Sequence, residues 1–375
     1  MASKLADLCS FAKGKVATAA LNSTTYISTE NMLPNKEGIV TASSLPTIEQ
    51  TQEYLPGDVL VSNIRPYFRK IWMATGAGGC SNDVLVFRAK PSCDPSFLYY
   101  LLSDNRFFDY ATATSKGTKM PRGDKAAIME YAVPNFDIET QRRIAATLSG
   151  IGEKITINRK INDNLEQQAM ALVESILASG EPTVLGQLMS FENGFTFQSN
   201  TYQSAGTYRV ITIKNVQDGR IDSTGAAYLS DIPTKMKPSC LLKPGDALLS
   251  LTGNVGRVGI VCEENLLLNQ RVAKISAMNP AWLPFLYFMF RLPSTKTTLE
   301  SIAKGTAQQN LSPVETLKLE IPFDKVLVDT HSGLLSRIYA TMLNTSQENL
   351  RLAALRDALL PKLMSGEIDV SDTEI

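Results

Sequence analysis

The amino-acid sequence predicts an α+β chain that is built twice. Two strand-rich modules of one kind are each followed by a long amphipathic helix, and the two helices pair antiparallel as a coiled coil. Three observations carry this. Punctuation motifs recur in one register, alternating apolar runs follow each Pro-Gly-Asp, and after each module the apolar period changes from two to seven.

Leu55-Pro56-Gly57-Asp58-Val59-Leu60 matches Lys243-Pro244-Gly245-Asp246-Ala247-Leu248, 188 positions later. Lys116-Gly117-Thr118 matches Lys304-Gly305-Thr306, and Val133-Pro134 matches Ile321-Pro322, at the same separation. The edges drift: Gly14 pairs with Gly194, and Asn164-Leu165 with Asn349-Leu350, as small loop insertions would produce. The period is too long for a solenoid and means two copies of one domain, each with the same tail.

Proline sets each turn and glycine supplies a positive φ, so each Pro-Gly-Asp feeds a strand, Val59-Leu60-Val61 in one copy and Ala247-Leu248-Leu249 in the other. Val84–Phe87 and Val272–Ile275 read as further strands, and short apolar helices are expected at Pro95–Phe108 and Ala281–Leu292. Asn279-Pro280-Ala281-Trp282 comes close to the Asn-Pro-Pro-aromatic motif of adenine methyltransferases. Asp94-Pro95-Ser96-Phe97 occupies the matching place in the first copy, however, and Asx-Pro before an apolar run is an N-cap with proline at the first helical position.

The first tail carries a seam at Ile144, Leu148, Ile151, Ile155, Asn158, Asn162, Leu165, Ala169, Leu172 and Ile176, with steps alternating between four and three. The second runs Ile338, Met342, Thr345, Asn349, Leu352, Arg356, Leu359 and Leu363. Both turn polar near the middle, and antiparallel pairing would bring Asn158 and Asn162 close to Thr345 and Asn349. Parallel pairing would align the centres as well; connectivity, with a module at opposite ends of the pair, is what favours the antiparallel direction. The boundaries expected are a first module over 1–143, a helix over 144–180, a second module over 181–328, a helix over 329–366 and a flexible tail over 367–375. At 1.5 Å per residue the first helix is about 50 Å long, enough to act as a spacer.

Composition narrows the function classes. With 37 basic and 37 acidic residues the chain is not a uniformly basic nucleic-acid coat, although local clusters can still grip phosphates. The five cysteines, Cys9, Cys80, Cys93, Cys240 and Cys262, form no C-x-x-C pair, which points to reduced thiols and no structural zinc. No charged-then-apolar segment opens the chain, and the longest apolar run, Trp282–Phe290, is too short for a bilayer, so a cytoplasmic protein with no membrane partner is expected. Gly76-Ala77-Gly78-Gly79 lacks the strand-then-helix frame of a cofactor loop, there is no G-x-x-x-x-G-K-[ST], and His331 is the only histidine. No catalytic residue, metal or cofactor is expected, which argues against an enzyme in its own right.

Polar clusters sit where the two copies differ. The first has Asn63, Arg65 and Arg69, then Lys116, Thr118, Lys119 and Arg122. The second has Asn254 and Arg257, then Lys304, Thr306, Gln308, Gln309 and Asn310. Arginine pairs with guanine edges, Asn and Gln with adenine edges, and Lys and Thr hold phosphates. Related frameworks with different polar sets are what a reader of two half-sites needs; a purely structural coiled-coil adaptor would not need them.

Nearly the whole chain resembles the specificity subunits of type I restriction–modification systems. The Pro-Gly-Asp turn, the segment Lys304–Ser312 and Ile321-Pro322 are similar to that family's target-recognition domain, Glu139–Ala145 to the opening of its first long helix, and Leu355–Ile368 to its C-terminal helix. Val328-Asp329-Thr330-His331 stands where a second Gln-Arg-Arg opening would be, which leaves the start of the second helix open. The resemblance implies a non-catalytic subunit whose two domains each read half of a split site in double-stranded DNA. It also implies that the helix pair sets the gap and docks two methyltransferase subunits, with ATP-driven restriction subunits joining them.

Overall fold

Gly57 and Gly245 lie at φ +86° and +92°, conformations that cost a residue with a Cβ. The carboxylates of Asp58 and Asp246 close each turn by accepting from the main-chain N–H of Leu55 at 2.7 Å and of Lys243 at 2.9 Å. The computed structural model describes residues 3–305 and 309–370, and these two turns start equivalent strands in it.

The first copy runs β1 (Ser3–Lys4), α1 (Leu5–Leu8), β2 (Cys9–Phe11), β3 (Lys15–Ala17), β4 (Tyr26–Ile27), β5 (Gln50–Tyr54), β6 (Val59–Ser62), β7 (Ile71–Met73), β8 (Gly78–Cys80), β9 (Val84–Ala89), α2 (Pro95–Ser103), α3 (Asn105–Ala113), α4 (Lys125–Met129) and β10 (Ala132–Val133), then the helix α5 (Ile138–Leu177). The second runs β11 (Glu181–Val184), β12 (Met189–Asn193), β13 (Tyr208–Ile211), β14 (Gly219–Arg220), β15 (Ala227–Leu229), β16 (Leu241–Leu242), β17 (Ala247–Ser250), β18 (Val258–Ile260), β19 (Leu266–Leu268), β20 (Val272–Ala277), α6 (Leu283–Arg291), α7 (Pro293–Ile302), α8 (Pro313–Leu317) and β21 (Glu320–Phe323), then the helix α9 (Lys325–Ser365).

The repeat holds at the level of pairing. Val61 faces Leu85 between β6 and β9, and Leu249 faces Ala273 between β17 and β20. One sheet has the order β2-β9-β6-β7 in the first copy and β12-β20-β17-β18-β14 in the second. The other sheet is β3-β5-β8-β4 against β16-β19-β13-β15, so the copies share a centre and add strands at different edges. Sequence periodicity missed this, because the edge strands are only two to five residues long.

β6 and β17 read as continuous apolar runs because both faces are covered. Val59 and Val61 pack with α2 and α3 while Leu60 packs with the second sheet; Ala247 and Leu249 face α6 and α7 while Leu248 faces the other way. The single helix expected over Pro95–Phe108 is two, whereas the one expected over Ala281–Leu292 is α6, and a second helix, α7, follows it. Asp104, extended at ψ 136°, ends α2 and caps α3 by accepting from the Arg106 N–H at 2.8 Å. Leu292 precedes Pro293, which forces it out of the helical region.

Both long helices start earlier than their seams, on an aspartate cap. Asp137 accepts from the Thr140 N–H at 2.7 Å and Asp324 from the Leu327 N–H at 3.0 Å, so α5 begins at Ile138 and α9 at Lys325, ahead of the boundaries expected at 144 and 329. His331 lies inside α9. Gln141, the glutamine of the Gln-Arg-Arg opening, is buried and fastens α5 by accepting from the Asp94 N–H and donating to the Ser92 and Phe136 carbonyls. Val328, fully buried, replaces it in the second copy.

Contacts divide the chain into two compact units, Met1–Lys154 with Leu352–Ile375, and Ile155–Arg351. In the first, Ile144 and Leu148 of α5 share a core with Leu360, Leu363 and Met364 of α9. Ile368 and Val370 join that core, so the start of the segment expected to be a flexible tail is packed, and residues 371–375 lie outside the described residues. In the second unit Ala169, Val173 and Ile176 pack with Leu335, Ile338 and Met342. There the Asn158 amide donates to Glu348 Oε2 at 2.7 Å and Asn349 Oδ1 at 3.0 Å, and Asn162 donates to Ser346 Oγ at 3.0 Å and accepts from Thr345 Oγ1. As one number rises the other falls, so the helices are antiparallel.

Cys9, Cys80 and Cys93 are buried, and burial pushes each thiol up to about 12, which makes them inert packing residues. Among the described residues no helix is long and apolar enough to cross a membrane.

The polar layer generates a prediction. Asn158→Ala leaves Glu348 and Asn349 without their shared donor in a part-buried seam and lowers unfolding stability by about 1–3 kcal/mol. Ile157→Ala, at a position 52% exposed, changes it by no more than about 0.5 kcal/mol. Denaturant unfolding of both variants checks the difference.

Candidate nucleic-acid interface

In each copy a loop rises beside the C-terminal end of the strand that the Pro-Gly-Asp turn begins. Lys116 and Arg122 exchange main-chain hydrogen bonds at 2.8 and 2.9 Å, and Lys304 and Asn310 do so at 3.0 and 2.8 Å. Gly117 and Gly305, at φ +96° and +110°, let the chain turn back between them. The loops are tied down alike. The Arg65 N–H donates to the Pro121 carbonyl at 2.8 Å and the Gly253 N–H to the Gln309 carbonyl at 3.0 Å. The Gly123 N–H donates to the Asn63 carbonyl at 3.1 Å and the Leu311 N–H to the Leu251 carbonyl at 2.7 Å. Each loop ends on a helix cap, Asp124 for α4 and Ser312 for α8.

Side chains on this common backbone differ. In the first copy Lys116, Thr118, Lys119 and Arg122 are exposed. Lys116 pairs with Asp124 and its ammonium holds that carboxyl below the usual carboxylate range. Arg122 is bound by Asp83 at 3.1 and 3.4 Å. Asn63 is buried and its Oδ1 has no hydrogen-bond partner among the described residues. Arg65 occupies φ +50°, the conformation Gly253 holds at +76°, and Arg69 occupies +53°. A non-glycine there costs about 1–3 kcal/mol and is tolerated where the surroundings enforce it. Arg65 donates to the Lys119 carbonyl at 3.4 Å, and Arg69 faces Asp109 at 3.9 Å.

In the second copy Asn254, Lys304, Gln309 and Asn310 are exposed, and Asn310 Oδ1 accepts from Thr252 Oγ1 at 2.9 Å. Arg257 is half-buried and donates to Gln217 at 2.8 Å. Thr306 and Gln308 lie outside the described residues. The structure thus brings together Arg65 with the 116–122 loop, and Thr252 with the 304–310 loop, while Asn63 is buried beneath the first loop and Arg257 is engaged by Gln217.

Sequence reasoning passed over several residues here. Tyr67 and Phe68, 48% and 39% exposed with ring centroids 4.9 Å apart, crown the turn between Arg65 and Arg69. Gln270 and Arg271, in the turn between β19 and β20, line a cleft of about 650 Å³ with Asn193, Thr252 and Asn310. The repeat could have found Arg271, since it stands at the position of Asp83 in the other copy. Among the described residues no three His, Cys, Asp or Glu side chains gather as a metal site would require.

Comparison with known proteins agrees with this geometry. The profile described as "Type I restriction modification DNA specificity domain" matches residues 1–167 and again 181–344. The type I restriction enzyme MjaIX specificity subunit of Methanocaldococcus jannaschii is 25% identical, over 74% of this chain and 69% of that protein. The HindI specificity subunit of Haemophilus influenzae is also 25% identical, over 83% and 86%. The fold resembles the crystal structure of a type I restriction–modification S subunit from M. genitalium, with a TM-score of 0.52 and 18% identity over 97% of this chain and 96% of that one. A double match to the family profile, on two copies that share strand register and loop anchoring, places the chain in the family of type I restriction–modification specificity subunits.

Proposed function

We propose that the chain reads a bipartite site in double-stranded DNA, one half through residues 1–143 and the other through residues 181–328. It performs no chemistry itself. The observation that carries this reading is the pair of loops at 116–122 and 304–310, held by the same main-chain hydrogen bonds yet carrying different side chains. Main-chain anchoring gives one docking geometry to both halves, and the variable side chains supply different base preferences.

The helices over 144–180 and 329–366 serve as the spacer and as the platform for two methyltransferase subunits, with which restriction and translocase subunits assemble in the cytoplasm. Ile157 and Ile161 support the platform role: they lie one turn apart on α5 and are 52% and 39% exposed, which a helix with no further partner would not favour.

Exchanging residues 183–328 for a homologous module changes one half of the methylated site only, as read by mapping methylated adenines in a host that carries the assembled system. A change in both halves or in neither sinks the modular reading.

Lys304→Ala weakens binding to all sequences alike and lowers the slope of log affinity against log salt by about 1, the signature of one lost phosphate contact. Asn310→Ala instead relaxes base preference in the second half-site by about 1–3 kcal/mol, since its amide still has donor hydrogens and a free lone pair beside the Thr252 bond. Competition binding at several salt concentrations separates the two behaviours.

If the helices set the gap, four residues inserted near Asn158 lengthen α5 by about 6 Å, or roughly two base pairs. The methylated site then keeps both half-sequences with a wider gap. An active insertion variant with the gap unchanged rejects the spacer role.

A further inference from the structure

Arg271 and Asp83 stand at the same place in the repeat, as do Asn310 and Arg122, and Thr252 and Ile64. The exchange reverses the local electrostatics. In the first copy a guanidinium on the loop is closed by a carboxylate from the turn before β9, Arg122 Nε lying 3.1 Å from Asp83 Oδ1. In the second copy the turn itself carries the guanidinium and the loop offers a neutral amide. That amide is engaged by Thr252 rather than by Arg271. Among the described residues the Arg271 side chain has no hydrogen-bond or ion-pair partner, and it is exposed at the cleft it shares with Asn310.

The backbone beneath Arg271 is held from several sides. Its carbonyl accepts from the Leu251 N–H at 3.2 Å, its own N–H donates to Asn269 Oδ1 at 3.4 Å, and the Gln270 N–H donates to the Phe195 carbonyl at 3.1 Å. Asn269 is bonded in turn to Ile211 at 3.1 Å. A long cationic side chain on a fixed turn has a defined origin and a free end. This suits a planar fork that must meet two acceptors at once.

We propose that Arg271 is the guanine-reading residue of the second domain, donating in parallel to O6 and N7 of one guanine in the major groove. In this account the matching position of the first domain is closed to guanine, because the Asp83 carboxylate neutralises Arg122 and would face guanine's acceptors with another acceptor. The proposal rests on the DNA-reading role set out above and adds to it the base, the residue and the domain. Only the second half-site is expected to owe a guanine to this turn.

The test uses the full chain assembled with its methyltransferase subunits, and reads both methylated-adenine maps and competition binding against single-base variants of the second half-site. Arg271→Ala relaxes the preference for guanine at one position by about 5- to 150-fold, leaves the other positions and the first half-site unchanged, and keeps the melting temperature because the side chain is exposed. Arg271→Lys keeps the charge and loses the fork, so it restores general affinity but only part of the guanine preference. An equal loss on all sequences, cured by lysine and accompanied by a lower salt slope, overturns the base role in favour of a phosphate contact. Unchanged site preference in Arg271→Ala also overturns the proposal. In that case exchange of residues 183–328 shows whether the wider reading stands, since it still switches a half-site if the domain reads DNA at all.

Discussion

A buried amide that must find its partners governs how α5 and α9 meet. Asn158 and Asn162 sit in a seam that is otherwise apolar, where an unsatisfied amide is expensive. Glu348, Asn349, Ser346 and Thr345 satisfy them only when the two helices run antiparallel in one register. Apolar side chains alone tolerate a slip of one heptad; paired amides do not. The packing of Ile338 and Met342 against Ala169 and Val173 follows from that register.

The repeated modules show a related economy in the backbone. The positive φ of Gly57 and Gly245, of Gly117 and Gly305, and of Arg65 and Gly253 recurs in both copies, as do the main-chain hydrogen bonds that hold the loops, while the exposed side chains of those loops differ. The Pro-Gly-Asp turns share a carboxylate closure, yet Asp58 is bound in two places by Arg88 whereas Asp246 looks to Lys274 at 3.8 Å. With the weaker partner, burial pushes the Asp246 carboxyl up. The position where Gly253 relaxes is held under strain by Arg65. Strain of that kind persists beside the loops that differ most, where the framework has to present a particular side chain.

Much was legible in the residues themselves. Register between the copies, the turn-to-strand starts, the Asx-Pro helix starts and the polar centre of the helix pair all follow from local rules: proline and glycine dihedrals, capping chemistry and a heptad period. Asp94 and Asn279 do accept from main-chain N–H groups of the helix starts they precede. The early starts of the long helices were missed because Asp137 and Asp324 cap ahead of the seam, where no heptad signal exists. Such rules need no information about distant parts of the chain.

Tertiary structure alone decided which polar residues are available. Asn63, Arg122 and Arg257 look in the sequence like the other candidates, and long-range neighbours set them apart: burial under Gly123, the Asp83 carboxylate and the Gln217 amide. The same holds for the edge strands, whose few residues carry too little pattern to be seen, and for Arg271, an unremarkable residue in a short turn. Sequence determines local conformation through each residue's own dihedrals and spacing. Whether a guanidinium is spent inside the protein or left free depends on which segment folds against it, and that is settled only when the sheets and loops come together.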